Sequence, residues 1–102
     1  MASSFLTEIA VQRILRYMED HLFEPDRKWP IDISEQRSYA RWAAFEIVER
    51  LFSTPFEDPY IVIEEFRLEM LSYSCMFDGE KNMFAIAEYV ATDILQVIGK
   101  EI

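Results

Sequence analysis

Apolar residues recur every three or four positions through most of this 102-residue chain, and proline, glycine or short polar stretches interrupt the recurrence at three places. This spacing is typical of amphipathic α-helices. The pattern predicts an all-α fold, a bundle of four main helices near residues 4–23, 34–53, 59–77 and 80–98. Because the connections are too short to separate domains, we expect the whole chain, residues 1–102, to form one helical domain.

The longest irregular connection is predicted at residues 24–33, where Pro25 and Pro30 interrupt the helical pattern. It would act as a crossover loop between the first and second helices. An alternative interpretation places a short strand at residues 29–33, paired with residues 60–63, because both stretches contain β-branched residues. Two isolated strands are only marginally stable in water, so the helical interpretation ranks first.

Capping residues define several of the predicted helix ends. Asp32 or Ser34 can cap the second helix, and Asp58 followed by Pro59 is a strong start signal for the third. Gly99 is predicted to follow the last residue of the fourth helix, where glycine often ends a helix. The first helix is expected to open at one of two adjacent serines near the N-terminus.

The segment from Pro59 to Phe77 is apolar on two sides of a helical wheel. The wider side consists of Val62, Ile63, Phe66, Met70, Tyr73 and Phe77. The second side consists of Ile61, Leu68, Leu71 and Cys75. Because a helix with two apolar sides needs neighbours on both, we predict that this segment is the centre of the bundle and that the other helices cover it. Phe66 and Met70 are accordingly predicted core residues.

The candidate interaction surface comes from the polar sides of the second and third helices. Its residues are Trp42, Glu46, Glu49, Glu65 and Glu69. Glu65 and Glu69 lie one turn apart, on the strip of the third helix that is expected to face solvent. Glu46 and Glu49 share a side of the second helix in the same way. An ordinary solvated acidic face would show the same spacing, so binding is a hypothesis here.

The two tryptophans have roles that the sequence leaves open. Trp42 lies on the side of the second helix opposite Ala44, so it anchors the 24–33 loop, lies at a self-association interface, or binds a partner. Trp29 precedes Pro30 and is expected to be extended, with its ring covering the core.

The net charge of −9 is unevenly distributed along the chain. Residues 1–51 contain nine acidic and seven basic residues, whereas residues 52–102 contain ten acidic and three basic residues. The negative electrostatic field of this charge distribution repels nucleic-acid phosphates and anionic membranes. We therefore predict that neither nucleic acid nor membrane is a partner, and that a partner protein has a basic or mixed surface.

Motifs for catalysis and for cofactor binding are missing from the sequence. Two glycines are too few for a phosphate-binding loop or a dinucleotide fingerprint. His21 and Cys75 are the only residues of their types, so they cannot form a zinc site of the usual kind or an internal disulfide. We expect no metal, no cofactor and no catalytic residues.

These observations predict a small acidic protein that acts through protein–protein interaction, as an adaptor or accessory subunit and not as an enzyme. The alternative hypothesis is an acidic inhibitor whose carboxylates imitate a nucleic-acid backbone and block an enzyme that binds nucleic acid. The apolar faces of the four predicted helices together are larger than one small core can bury. We therefore also predict self-association as a symmetric homodimer. The N-terminal sequence contains no export pattern, which predicts a cytoplasmic location.

Overall fold

The computed structural model describes the backbone of residues 2–21 and 30–101, and the side chains of residues 5–20 and 30–99. These residues form four α-helices, α1 (Ala2–His21), α2 (Ile33–Ser53), α3 (Pro59–Met76) and α4 (Lys81–Glu101). One turn of 3₁₀ helix, Asp78–Glu80, joins α3 to α4. The predicted all-α class with four main helices is confirmed. No helix in the described ranges is both long enough and apolar enough to cross a membrane.

The alternative interpretation with two short strands is wrong. Residues 60–63 belong to α3, and the described part of the chain contains no strand. Of the predicted 24–33 loop, only residues 30–33 lie within the described residues, and Ile33 already belongs to α2. The role predicted for Trp29 lies outside the described residues.

Two predicted caps are present at the helix starts. The Asp32 carboxylate accepts a hydrogen bond from the Glu35 backbone N–H at 2.9 Å, and the Asp58 carboxylate accepts one from the Tyr60 N–H at 2.8 Å. Each cap satisfies a backbone donor that has no partner within its own helix. The prediction for Gly99 is wrong, because α4 continues to Glu101. Neither described glycine has a positive φ, so nothing in the backbone at Gly99 ends the helix.

One cluster of buried apolar side chains holds the four helices together. α4 packs against all three other helices, most extensively against α3 and next against α2. It also contributes the largest set of buried residues, Phe84, Ile86, Ala87, Val90, Ala91, Ile94, Leu95 and Ile98. The central helix of the bundle is therefore α4 and not α3, which corrects the prediction from the two apolar sides of residues 59–77.

Only the wider apolar side of α3 is covered. Phe66 and Met70 are 1% and 3% exposed, so both are core residues as predicted. The second side is open to solvent, with Ile61, Leu68 and Leu71 exposed by 54%, 50% and 44%. The molecule measures 43 × 29 × 19 Å, and its shortest dimension holds about two layers of helices that are each ~10 Å thick. A two-layer arrangement leaves every helix one face toward solvent, which is why α3 cannot be covered on both sides.

Two polar contacts attach α1 to distant parts of the chain. Thr7 is buried, and its hydroxyl donates a hydrogen bond to the Pro55 carbonyl oxygen at 3.2 Å. The Tyr17 hydroxyl donates one to the Asp93 carboxylate of α4 at 3.1 Å. Neither contact is indicated by the helical periodicity, because each joins residues that are far apart in the sequence. α1 is thus positioned by long-range polar contacts as well as by its buried face.

Candidate interaction groove

An open groove of about 320 Å³ lies between α2 and the beginning of α3. Its lining residues are Glu46, Glu49, Arg50, Ser53, Thr54, Glu57, Val62 and Glu65. The groove therefore contains four carboxylates and one guanidinium group. Three of these carboxylates belong to the predicted interaction surface, and the structure brings them together in one place.

The local fold explains why these side chains converge. Glu46, Glu49 and Ser53 lie three and four positions apart on α2, which places them along one side of that helix. The chain then reverses through residues 54–58, so that α3 begins beside the end of α2. This reversal adds Glu57 from the connection and Glu65 from the second turn of α3.

Arg50, the only basic residue among the described residues that line the groove, is already occupied by an ion pair. Its Nη1 and Nη2 atoms donate hydrogen bonds to the two carboxylate oxygens of Glu69, at 3.2 and 3.0 Å. The guanidinium carbon also lies 4.9 Å from the centre of the Phe66 ring. Hydrogen bonds from Arg50 hold the pKa of Glu69 below its ordinary value, because they stabilise the ionised carboxylate. Glu69, which was predicted to lie on a strip facing solvent, is only partly exposed, since its side chain crosses to α2.

A second cluster of charges joins α3 to α4. Arg67 donates hydrogen bonds to Glu64 on its own helix and to Glu88 on α4, the latter at 3.2 Å. Hydrogen bonds with Glu64 and Glu88 raise the pKa of Arg67, and hydrogen bonds from Arg67 lower that of Glu64. The Arg67–Glu88 contact joins residues 21 positions apart and therefore links the two helices. The two arginines form ion pairs with three carboxylates, so the cluster of Arg67, Glu64 and Glu88 keeps a net charge of −1.

The four carboxylates of the groove have no basic partner in the part of the chain that the structure describes. Among the described residues, no ion pair includes Glu46, Glu49, Glu57 or Glu65. They also do not converge as a metal site, since the described part of the chain has no group of three or more His, Cys, Asp or Glu that could hold an ion. Chemically, the groove offers separate hydrogen-bond acceptors with a negative field, which suits ammonium and guanidinium groups.

Trp42 does not belong to the groove. Its side chain is half-buried and packs against the core cluster, as does Tyr39. The prediction that Trp42 lies off the core face is wrong, because α2 buries Ala43 as well as Ala44, so that its buried sector extends toward Trp42. The rings of Trp42 and Tyr39 reach the core from the edge of this sector. A contact between Trp42 and residues 24–29 would fall outside the described residues.

Acid is expected to weaken the ion pairs of Glu64 and Glu69. Their pKa values in the folded protein lie below the ordinary 4.5. The pairs therefore stabilise the fold above pH 4.5, and this contribution disappears as the pH falls through the lowered values. At neutral pH each pair is worth less than about 1 kcal/mol, because the side chains are partly exposed.

Urea unfolding between pH 7 and pH 3 measures this effect. The double variant Glu64→Gln with Glu69→Gln should lose less stability on acidification than the parent. Glu80→Gln, which changes an exposed residue of the 3₁₀ turn, serves as the control and should follow the parent. Superimposable pH profiles for the parent and the double variant would show that the two pairs make no contribution.

Of the five predicted surface residues, three line the groove, Glu69 borders it through Arg50, and Trp42 packs against the core. Arg50 and Glu57, which also line the groove, were not among the predicted surface residues. Arg50 lies one turn after Glu46, a spacing that could have indicated it, whereas Glu57 lies in a connection whose path the sequence does not specify. In comparisons with protein-family models, with curated proteins and with solved structures, nothing matches this chain.

Proposed function

We propose that this protein is a non-enzymatic interaction module that binds a basic segment of a partner protein in the groove between α2 and α3. The observation that supports the proposal is the distribution of charge within the groove. Its four carboxylates have no ion-pair partners in the described structure, while its single guanidinium is neutralised by Glu69. Lysine and arginine side chains are the groups that complement such a surface.

The surroundings of the groove also suit a segment that is both basic and apolar. Phe45 is exposed on α2 one turn before Glu49, whereas the exposed Phe52 lines a separate pocket beside α1. Aromatic rings beside carboxylates can contact the aliphatic part of a lysine or arginine side chain while the carboxylates bind its charge. A basic segment with apolar residues between its charges would use both features.

The negative electrostatic field of the whole molecule also favours a basic partner protein. Residues 52–102 have a net charge of −7, from ten acidic and three basic residues. Such a field accelerates the approach of a basic partner and repels nucleic acids and anionic membranes, which the proposal excludes as partners. The proposal also places the protein in the cytoplasm, where the exposed Cys75 would remain reduced.

Charge reversal in the groove tests this proposal. The probe is a fluorescent synthetic peptide of 15 residues with arginine or lysine at every third or fourth position and leucine between them. The variant Glu49→Lys with Glu65→Lys should bind the peptide at least about tenfold more weakly than the parent, which corresponds to ~1.4 kcal/mol. The affinity of the parent should fall as salt is added, because exposed charges contribute most of it.

A control variant distinguishes binding in the groove from attraction by the net charge of the whole protein. Glu19→Lys with Asp20→Lys changes the charge by the same amount at exposed positions of α1, outside the groove. Its affinity should stay close to that of the parent. An equal loss in both variants would contradict binding in the groove. It would favour the alternative function, in which the protein is an acidic inhibitor whose distributed charge imitates nucleic acid. This alternative stays a prediction.

A further inference from the structure

Arg50 occupies the groove in the way that a basic side chain of a partner would. Its guanidinium donates two hydrogen bonds to the carboxylate of Glu69, at 3.2 and 3.0 Å, and its carbon lies 4.9 Å from the centre of the Phe66 ring. A carboxylate and an aromatic ring are groups that also bind arginine from another chain. The pair is therefore an internal contact of the same type that a basic partner would make.

Glu69 is connected to the groove through Arg50. The residues that line the groove include Arg50 but not Glu69, although the two side chains form an ion pair. Their side chains are 34% and 36% exposed, so the pair lies near the surface, where a ligand can reach it without unfolding of the chain. As long as the pair is formed, the carboxylate of Glu69 is not available to a partner.

We propose that Arg50 limits the affinity of the groove for basic segments and suppresses a preference for arginine, because it withholds Glu69 from the partner. The proposal rests on the function proposed above for the groove. The four carboxylates that line the groove offer separate acceptors, which bind ammonium and guanidinium groups alike. Glu69 differs, because both of its oxygens already accept parallel N–H groups, an arrangement that suits guanidinium and not ammonium.

The two members of the pair have opposite effects on the charge that a ligand meets. The four lining carboxylates, Glu69 and Arg50 together have five negative charges and one positive charge, a net charge of −4. Arg50→Gln changes this value to −5 and makes Glu69 available. Glu69→Gln changes it to −3 and leaves Arg50 in the groove without its ion-pair partner. Substitutions within one ion pair should therefore shift the affinity for a basic ligand in opposite directions.

Two versions of the 15-residue fluorescent peptide, one with arginine and one with lysine at its basic positions, test the proposal in ~0.15 M salt. Arg50→Gln should bind the arginine peptide at least about threefold more tightly than the parent does, and should gain less than about twofold for the lysine peptide. Glu69→Gln should bind both peptides about twofold or more weakly. The gain for the arginine peptide should disappear in the double variant Arg50→Gln with Glu69→Gln, because its acceptor is missing.

Arg16→Gln and Glu19→Gln are the matched controls. They make the same two changes of charge at exposed positions of α1, outside the groove. Salt screens charges that lie more than about 8 Å from the ligand, so each control should change either affinity by less than about twofold. Urea unfolding shows whether each variant is folded under the conditions of the binding assay. If Arg50→Gln is not folded, Glu69→Gln and its control decide the outcome.

Four results would overturn the proposal. They are equal gains for the two peptides in Arg50→Gln, the same gain in Arg16→Gln, a gain that persists in the double variant, and unchanged affinity in Glu69→Gln. If the parent binds both peptides, any of these results leaves the proposed function standing. If Arg50→Gln binds the arginine peptide and the parent binds neither, the proposed function is wrong for the parent and Arg50 closes the groove. No binding by the parent or by Arg50→Gln would contradict both proposals.

Discussion

Replacing Phe66 with alanine is expected to lower the free energy of unfolding by about 3–5 kcal/mol. The ring is 1% exposed and lies on the core side of α3, so its removal leaves a cavity that the packed helices cannot fill. The guanidinium of Arg50, 4.9 Å from the ring centre, also loses the aromatic surface beneath it. The Phe66→Ala variant therefore loses buried apolar area and support for the Arg50–Glu69 pair together.

Urea unfolding at neutral pH measures the effect, and thermal unfolding provides a second measurement at about 4–8 °C per kcal/mol. The matched control is Phe56→Ala, since Phe56 is 73% exposed in the connection before α3. It should change the free energy of unfolding by no more than about 0.5 kcal/mol. Similar small changes in both variants would show that the ring of Phe66 does not lie in the core.

Enlarging Ala87 to leucine is expected to destabilise the fold by about 1–3 kcal/mol. Ala87 is fully buried on α4, the helix that packs most extensively against the others. A larger side chain at this position has to push α4 away from a neighbouring helix or adopt a strained rotamer. Leucine and alanine are both strong helix formers, so a loss of stability here reports packing and not helix propensity.

Ala85→Leu is the control for this substitution. Ala85 belongs to the same helix but is only partly buried, so the added methyl groups can extend toward solvent. Its free energy of unfolding should remain close to that of the parent. If Ala87→Leu proves as stable as Ala85→Leu, the inference that side chains pack closely around Ala87 is wrong.

The number and type of the helices could be predicted from the sequence because their signals are local. The pairing of Asp58 with Pro59 acts within a single turn, and it fixes the start of α3. The end of α4 was missed because Gly99 carries the right residue type without the left-handed backbone that ends a helix.

The central helix could not be predicted, because a helical wheel shows which positions are apolar but not which neighbour covers them. The stripe of Ile61, Leu68 and Leu71 has the same residue types as a core face, yet it faces solvent. Only the thickness of the molecule, 19 Å in its shortest dimension, excludes a third layer of helices over it. That dimension is a property of the packed fold and is not visible in any local pattern.

The candidate site was predictable within a helix and not between helices. Glu46 and Glu49 share a side of α2 by their spacing alone. The position of Glu65 beside them depends on the path of the chain between α2 and α3. The Arg50–Glu69 pair joins residues 19 positions apart, so helical periodicity could not show that Glu69 was already occupied.

The central position of α4 has a consequence for synthesis, because this helix is made after the three helices that pack on it. A ribosome adding about 5–20 residues per second needs roughly 4–16 s to travel the 80 positions between the ends of α1 and α4. Throughout that interval the apolar face of α1 lacks its α4 contacts, including the Tyr17–Asp93 hydrogen bond that spans 76 positions. The nascent chain therefore presents uncovered apolar surface to chaperones, and its core closes only when the last helix has emerged.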